Sequence, residues 1–437
     1  DSHHLAAALT LQAQALWRLN QRPEAHALLL RALELADLAR QDEAKADTLR
    51  MLGNLAYDQD NYAEARLYFE QSLEICRQIG FRRGECSALN SLGILVNRIH
   101  RGSEEALARY QEALQAASEM GDRHQESLVL INLGIAYRSR REYDQAIQSY
   151  ENALKIQEEI DDPLHQSATL INLAILMNYQ YRQMEALRLL EQAIEIKKRI
   201  GDQRGESIAL VGIGNIWNYL GQYERAEQNF RQVLQIRRTI GERRGEINAL
   251  CNLTTSALGQ GDLDRALDYA QKAVALAKEI RIPISTAYSD QSLGDVLQAH
   301  HRHLEAVEAH RRALELFEAS NDLEECLATR AKIALSLLQL NRLNEARSEV
   351  ESVFRQLEES REITEGGSSV PMVVYLAGYR VFTACQSSQV RPVLQQAHQL
   401  LMQKAAQIDD PALRQSFLEN VAENRELLAA DERQHNL

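Results

Sequence analysis

Residues 130–156 read LINLGIAYRSRREYDQAIQSYENALKI, and the same pattern returns at 170–196 (LINLAILMNYQYRQMEALRLLEQAIEI) and at 210–236 (LVGIGNIWNYLGQYERAEQNFRQVLQI). Self-similarity at a fixed period of roughly 20 to 50 residues is typical of repeat proteins. One alanine marks the register in nine copies, and seven of the eight intervals are forty residues: Ala25, Ala65, Ala106, Ala146, Ala186, Ala226, Ala266, Ala306 and Ala346. The sequence therefore predicts nine equivalent units.

A second small residue precedes each alanine by twelve positions, or by thirteen in the third copy: Ala13, Gly53, Gly93, Gly134, Ala174, Gly214, Thr254, Gly294 and Ala334. Small residues allow two backbones to approach closely. Large apolar residues follow the alanine at four and eight positions, as at Tyr150 and Leu154, which is the spacing of one helix face. Each copy is predicted to be two tightly packed helices.

The predicted helix ends repeat with the same period. Gly80, Gly121, Gly201 and Gly241 stand where a left-handed residue closes a helix. In the copy that contains Ala146, Asp162 and Pro163 instead take the N-cap and first-turn positions of the next helix. Since one helical hairpin cannot bury its apolar face alone, the copies are expected to stack on their neighbours.

The composition excludes several classes of function. A formal net charge of -13 gives no basic face for nucleic acid. No apolar run reaches the roughly 18 residues of a membrane span, and we expect no basic-then-apolar leader at the start. The five cysteines are scattered and read as reduced thiols, so a cytoplasmic location is predicted. Because the chain starts at Asp1, we expect it to be a segment of a longer protein.

The pattern LG…Y…G-x-Y-x-x-A…Y-x-x-AL resembles the tetratricopeptide repeat (TPR) family in its forty-residue variety. It is similar to the repeats of kinesin light chain, of the adaptor Pins and of the sensor regions of bacterial STAND regulators such as MalT. The resemblance covers roughly residues 5–357. It implies an all-α, right-handed superhelical solenoid of about nine helical hairpins.

Three segments are predicted along the chain. Residues 1–357 contain the nine repeats, and the Gly/Ser-rich stretch 358–371 reads as a loop. Residues 372–437 fit a degenerate TPR-like hairpin, with Gly378 and Ala397 as its small residues, followed by a capping helix that starts at Asp410 and Pro411. Solenoid ends need such a cap because their last apolar face has no neighbour.

The resemblance also implies a binding face. In related TPR proteins the first helix of each repeat lines a concave groove, through residues two before, one after and four after the small residue. Asparagine is a poor helix former, so its recurrence at these places needs a reason. The predicted peptide-binding or partner-binding residues are Asn54, Asn97, Arg98, Asn132, Arg138, Asn172, Asn178, Asn215, Asn218, Asn252 and Asp295, of which Arg98 lies one residue beyond the last of these places. The alternative is that these side chains are solvated or hydrogen-bond to the neighbouring repeat.

No catalytic or cofactor motif is present, and no catalytic residue is predicted. The cluster His300, His301, His303 with Glu305 has metal-like spacing, but it falls in a turn and is interpreted as solvated loop. Most repeat junctions carry an arginine followed by a glutamate, as at Arg82 and Glu85, which indicates local ion pairs. We therefore predict no enzyme, no cofactor and no metal site.

The predicted function is recognition of an extended protein or peptide segment in the groove, in the sensor region of a larger bacterial signalling protein with an upstream ATPase or effector domain. Two alternatives remain. One is a stand-alone adaptor that assembles several partners, and the other is a small-molecule sensor of the MalT type. Neither nucleic acid nor a membrane is an expected partner.

Overall fold

The structure is a computed structural model that describes residues 5–18, 21–359 and 372–435. Those residues form helices joined by short turns, with no strand among them, which confirms the predicted all-α class. The chain divides into two compact units, residues 1–176 and 177–437. Consecutive helical hairpins build both units, as the forty-residue period predicts.

Unit 1 (residues 1–176) contains four hairpins and most of the next first helix: α1 (Leu5–Arg18), α2 (Arg22–Leu38), α3 (Asp42–Asp58), α4 (Tyr62–Ile79), α5 (Arg82–Ile99), α6 (Glu104–Met120), α7 (Arg123–Ser139), α8 (Tyr143–Glu159) and α9 (Pro163–Tyr179). The predicted helix ends are confirmed. Gly80 and Gly121 have φ values of 72° and 66°. The Asp162 carboxylate accepts a hydrogen bond from the His165 backbone N–H at 3.2 Å, as an N-cap does.

Unit 2 (residues 177–437) contains α10 (Gln183–Arg199), α11 (Gln203–Tyr219), α12 (Tyr223–Thr239), α13 (Arg243–Gly259), α14 (Leu263–Ile280), α15 (Pro283–Ala299), α16 (His303–Ala319), α17 (Leu323–Gln339), α18 (Leu343–Glu359), α19 (Met372–Ala384), α20 (Val390–Ala406), α21 (Pro411–Glu419) and α22 (Ala422–His435). Of the predicted loop 358–371, Glu358 and Glu359 belong to the end of α18, and the remainder lies outside the described residues.

The small residue of each first helix packs against a large side chain of the second. A Cβ added to Gly134 would lie 2.5 Å from Tyr150 Cε1, and one added to Gly53 would lie 2.4 Å from Phe69 Cε1. Both rings are almost completely buried. Where the small residue is Ala13, the equivalent second-helix residue is the smaller Leu29, in the same apolar cluster. The two positions are therefore matched in size.

The end of the chain corrects one prediction, because the single capping helix is two helices, α21 and α22, with a break at Asn420 and Val421. Side chains satisfy backbone carbonyls near the break. Asn424 Nδ2 donates to Phe417 O at 2.8 Å, and Arg425 Nη1 donates to Glu419 O at 2.9 Å. The break is stable because these carbonyls keep a partner.

Helix α21 also packs on the turn between α11 and α12, almost two hundred residues earlier in the chain. Ser416 Oγ donates to Leu220 O at 2.7 Å, and Asn420 Nδ2 donates to Gly221 O at 3.3 Å. The ring of Phe417, 2% exposed, lies 5.0 Å from that of Tyr219. The terminal helices therefore do more than cover the last hairpin, since they bind an earlier repeat of unit 2.

Lys404 of α20 is 5% exposed, and burial lowers its pKa to about 8, against a weaker opposing effect of Glu324. Because the folded-state pKa lies below the unfolded value, the folded chain binds fewer protons between about pH 8 and 10.4, so stability rises with pH there. Replacing Lys404 with methionine should stabilise the protein by about 2 to 3 kcal/mol at pH 7. Urea unfolding at pH 7 and pH 10 checks this, and a gain that does not shrink at pH 10 would contradict it.

Candidate functional site

The first helices carry the predicted binding residues at positions spaced by three, which places them on one side of each helix. We call this surface the first-helix face: it consists of the residues two before, one after and four after each small residue. The opposite side of each helix is apolar, as at Leu130 and Leu133 of α7, both buried. Packing of this apolar side leaves the first-helix face partly exposed, as at Asn132 and Arg138.

In unit 1, two predicted amides hydrogen-bond within their own repeat. Asn97 Oδ1 accepts from the Gly102 backbone N–H at 2.8 Å and so supports the turn after α5. Asn54 Nδ2 lies 3.7 Å from Met51 Sδ, which is a weak acceptor. Arg98 is exposed, and its Nε donates to Tyr62 Oη at 3.3 Å.

Asn132 and Asn172 are half-buried on α7 and α9. Asn132 Nδ2 donates to Asn90 Oδ1 of α5 at 2.9 Å, so these two amides join successive first helices. Arg138, four residues after Gly134, has a buried Nη1 with no hydrogen-bond partner among the described residues.

In unit 2, Asn178 and Asn215 are exposed, and Asn252 is half-buried. Asn218 Oδ1 accepts from Ser256 Oγ of the next first helix at 2.9 Å. The alternative of hydrogen bonding between repeats therefore describes Asn218 in this structure. The same link recurs two repeats later, where Ser336 Oγ donates to Gln298 Oε1 at 3.2 Å.

Asp295 lies between two basic side chains. Its Oδ1 is 3.1 Å from His310 Nε2, and its Oδ2 is 2.8 Å from Lys332 Nζ of the next first helix. Burial raises the pKa of Asp295, but the Lys332 ammonium and His310 outweigh burial and lower it overall. Asp295 is thus an ionised carboxylate with two partners from its own unit.

The sequence did not single out Asn90, Ser256 or Lys332, although each bonds a predicted residue. Asn90 lies three residues before the small residue Gly93, whereas the predicted position lies two residues before it. Ser256 and Ser336 lie 38 residues after the acceptors Asn218 and Gln298. The sequence signal for these two serine pairs is therefore a polar residue that follows another polar residue by slightly less than one repeat length.

The three histidines of the metal-like cluster lie at the turn between α15 and α16. His300 Nε2 is 3.2 Å from Leu263 O, and the rings of His301 and His303 are 5.8 Å apart. Burial, followed by the charge of His301, lowers the pKa of His303. Glu305 is paired with Arg302 at 2.6 Å.

The family follows from a comparison with known sequence families. The tetratricopeptide repeat model matches residues 44–119, 85–159, 125–199 and 206–279, which together exceed half of the chain. The chain belongs to the tetratricopeptide repeat family. No curated protein matches this TPR chain in sequence. Within the described residues, none of its helices combines the length and the apolar character that a membrane crossing requires.

Several solved structures share the TPR fold at low sequence identity. Aspartyl phosphate phosphatase F from Bacillus subtilis is 14% identical with a TM-score of 0.58, over 83% of this chain and 96% of that protein. The quorum sensor NprR from B. thuringiensis, in its apo form, is 14% identical with a TM-score of 0.55, over 79% of this chain and 99% of that protein. The STAND protein PH0952 from Pyrococcus horikoshii, with a tetratricopeptide repeat sensor, is 16% identical with a TM-score of 0.49, over 80% of this chain and 55% of that protein.

Proposed function

We propose that this TPR chain recognises an extended segment of a partner protein on the first-helix face of unit 1 and catalyses no reaction. The observation that carries the proposal is the recurrence of partly exposed amides on the first helices α3, α7 and α9, at Asn54, Asn132 and Asn172. The Asn90–Asn132 bond uses one donor and one acceptor of the pair. Each of these two amides keeps hydrogen-bonding capacity for a ligand.

An amide suits this task because it offers both a donor and an acceptor. An extended peptide presents backbone N–H and C=O groups along its whole length, at a rise of about 3.3 Å per residue. Side-chain amides on successive helices can bond these groups without reading the peptide's own side chains. We therefore expect broad sequence tolerance at most positions of the bound segment.

Arginine adds one specific requirement. Arg138 is half-buried on the first-helix face, so part of its side chain remains accessible to a partner. A carboxylate from the partner would form a charge-assisted hydrogen bond with an accessible guanidinium group. Exposed Arg98 is in the equivalent part of the preceding first helix. The proposed segment therefore carries a carboxylate, from Asp, Glu or a free C-terminus.

Selection of peptides from a random twelve-residue display library on the immobilised chain tests this function. We expect enriched peptides to share an acidic position, and their dissociation constants to rise at least tenfold when Asn132→Ala and Asn172→Ala are combined, because about two hydrogen bonds are lost. Fluorescence anisotropy of labelled peptides measures these constants.

The matched control combines Asn152→Ala and Asn229→Ala, which make the same chemical change on the second helices α8 and α12. Its peptide affinity should equal that of the unaltered chain. Equal affinities for both double variants, or loss in the control alone, would contradict recognition on the first-helix face. Circular dichroism at 222 nm verifies that helicity is retained in each variant.

The proposed context is the sensor region of a larger bacterial signalling protein, which the sequence resemblance to STAND regulators implies. Sequencing the gene upstream of the codon for Asp1 tests it, and a reading frame without a nucleotide-binding region there would remove this part of the proposal. Affinity purification that returns several partners on different repeats would favour the multi-partner adaptor instead.

A further inference from the structure

Two histidines and one aspartate converge where α7 and α9 begin. His124 Nδ1 lies 3.2 Å from Asp162 Oδ2, and His165 Nδ1 lies 2.7 Å from the same oxygen. Within the part of the chain that the structure describes, this is the group of three metal-ligating side chains whose ligand atoms all lie within 4.8 Å of one another. All three residues belong to unit 1.

Three other repeat junctions place a permanent cation beside the equivalent acid. Lys197 Nζ is 2.7 Å from Asp202, Arg83 Nε is 3.7 Å from Asp122, and Arg204 Nη2 is 3.6 Å from Glu242. His124 occupies the register position of Arg83 and Arg204. Among the described residues, the ion-pair partners of Asp162 are two imidazoles, which are weak bases and natural metal ligands.

A second observation is the buried side chain below this junction. Gln157 has the register position of Lys197, whose ammonium binds the acid five residues later, and the Asp162 N–H donates to Gln157 O at 2.9 Å. Gln157 is 0% exposed, and neither amide atom has a hydrogen-bond partner among the described residues. At Gln157, one repeat before Lys197, the permanent positive charge is therefore absent. The buried amide at this position has no hydrogen-bond partner among the described residues.

The same exchange explains why a histidine fits at position 165. Its register equivalent is Gly205, where a Cβ would lie 2.4 Å from Asp202 Oδ2 and 2.6 Å from Lys197 Cε. With glutamine in place of lysine, one of these two obstacles is absent, and the imidazole of His165 lies beside Asp162. Glutamine in place of the lysine, at Gln157, and a metal-ligating side chain in place of the glycine, at His165, therefore occur together at the junction between α8 and α9.

We propose that His124, Asp162 and His165 bind one divalent transition-metal ion of the zinc class, which joins the starts of α7 and α9. Two imidazoles and a carboxylate suit Zn²⁺ far better than Mg²⁺ or Ca²⁺, which prefer oxygen ligands alone. Water would complete a four-coordinate site. The ion replaces the permanent cation of the other junctions.

No separation between ligand atoms must change by more than about 1.5 Å, because all three atoms already lie within 4.8 Å of one another. Tetrahedral ligands at about 2.0 to 2.1 Å from zinc lie about 3.3 Å from one another. The His124–Asp162 separation of 3.2 Å already meets this value, and the His165–Asp162 separation of 2.7 Å must open by a rotation of one ring. The His124 side chain is 46% exposed, which gives the ion a path from solvent.

Asp162 is the anionic member of the group. Its Oδ2 faces both imidazoles, while its Oδ1 accepts the His165 backbone N–H that begins α9. A carboxylate in this place would offset part of the charge of a bound cation.

Isothermal titration of the tag-free, chelator-treated chain with Zn²⁺ tests the site, with native mass spectrometry as the measure of stoichiometry. We expect one tightly bound ion per chain. His124→Arg introduces the residue found at the register positions of Arg83, Arg204 and Arg244, and Asp162→Asn keeps a residue that can cap α9. Each should weaken binding at least tenfold while helicity is unchanged.

The control replaces His300, His301 and His303 with alanine and should leave the tight binding event unchanged. Absence of saturable binding near one ion per chain would overturn the proposal. So would affinity that is equal in His124→Arg, Asp162→Asn and the unaltered chain, or that is lost only in the triple-histidine control. Cobalt substitution adds a spectroscopic readout, because a mixed nitrogen and oxygen tetrahedral site gives visible absorption that both variants should lose.

Discussion

Replacing Gly134 with alanine should destabilise the chain by about 1 to 3 kcal/mol, although alanine is the better helix former by about 1 kcal/mol. The new Cβ would lie 2.5 Å from Tyr150 Cε1, and the Tyr150 ring is 0% exposed. A buried ring in a packed core can move only by displacing its own neighbours. Urea unfolding followed by circular dichroism measures the loss.

Combining Gly134→Ala with Tyr150→Leu should recover most of that stability, because Ala13 and Leu29 form this combination naturally in the first repeat. Tyr150→Leu alone leaves a void beside Gly134 and should also destabilise the chain. The double-mutant cycle therefore predicts a favourable coupling between the two positions. If the double variant is less stable than both single variants, the matching of sizes is not what holds the hairpin together.

This matching shows how far the sequence predicts the fold. The forty-residue spacing predicts the hairpins, their small residues and the glycines that end helices, because each depends on contacts inside one repeat or with its neighbour. The partner of Gly134 was less apparent, since the structure pairs it with Tyr150, four residues after Ala146 in the second helix. The sequence does contain this signal. The residue four positions after the alanine of the second helix is larger in most repeats whose first helix has glycine, as at Tyr150, than in the repeat with Ala13, where it is Leu29.

The positions of the first-helix residues were predictable, but their hydrogen-bond partners were not. The register places Asn218 and Asp295 on the first helices, yet their bonds to Ser256 and Lys332 depend on how successive repeats meet. The return of α21 to the turn before α12 has no periodic signal at all, because Ser416 and Leu220 are 196 residues apart. Such a contact is decided by tertiary packing and not by local pattern.

Replacing Gly221 with alanine should release the terminal helices from this turn. Gly221 has a φ of 71°, and an added Cβ would lie 2.9 Å from both Asn420 Cβ and Ser416 O. The variant therefore suffers a strained backbone, at about 1 to 2 kcal/mol, and loses the hydrogen bonds of Ser416 and Asn420, at about 1 kcal/mol each. We expect faster amide exchange in residues 411–430, measured by hydrogen–deuterium exchange mass spectrometry.

Gly261 supplies the matched control, since it ends the equivalent turn after α13 with a φ of 76° and would present its Cβ to open space. Gly261→Ala should impose the same backbone strain and leave exchange in residues 411–430 unchanged. The difference in unfolding free energy between the two variants then isolates the docking of α21, at about 2 kcal/mol. Equal stability and equal exchange would mean that the contact with Leu220 and Gly221 contributes nothing, and that the terminal helices are held by α19 and α20 alone.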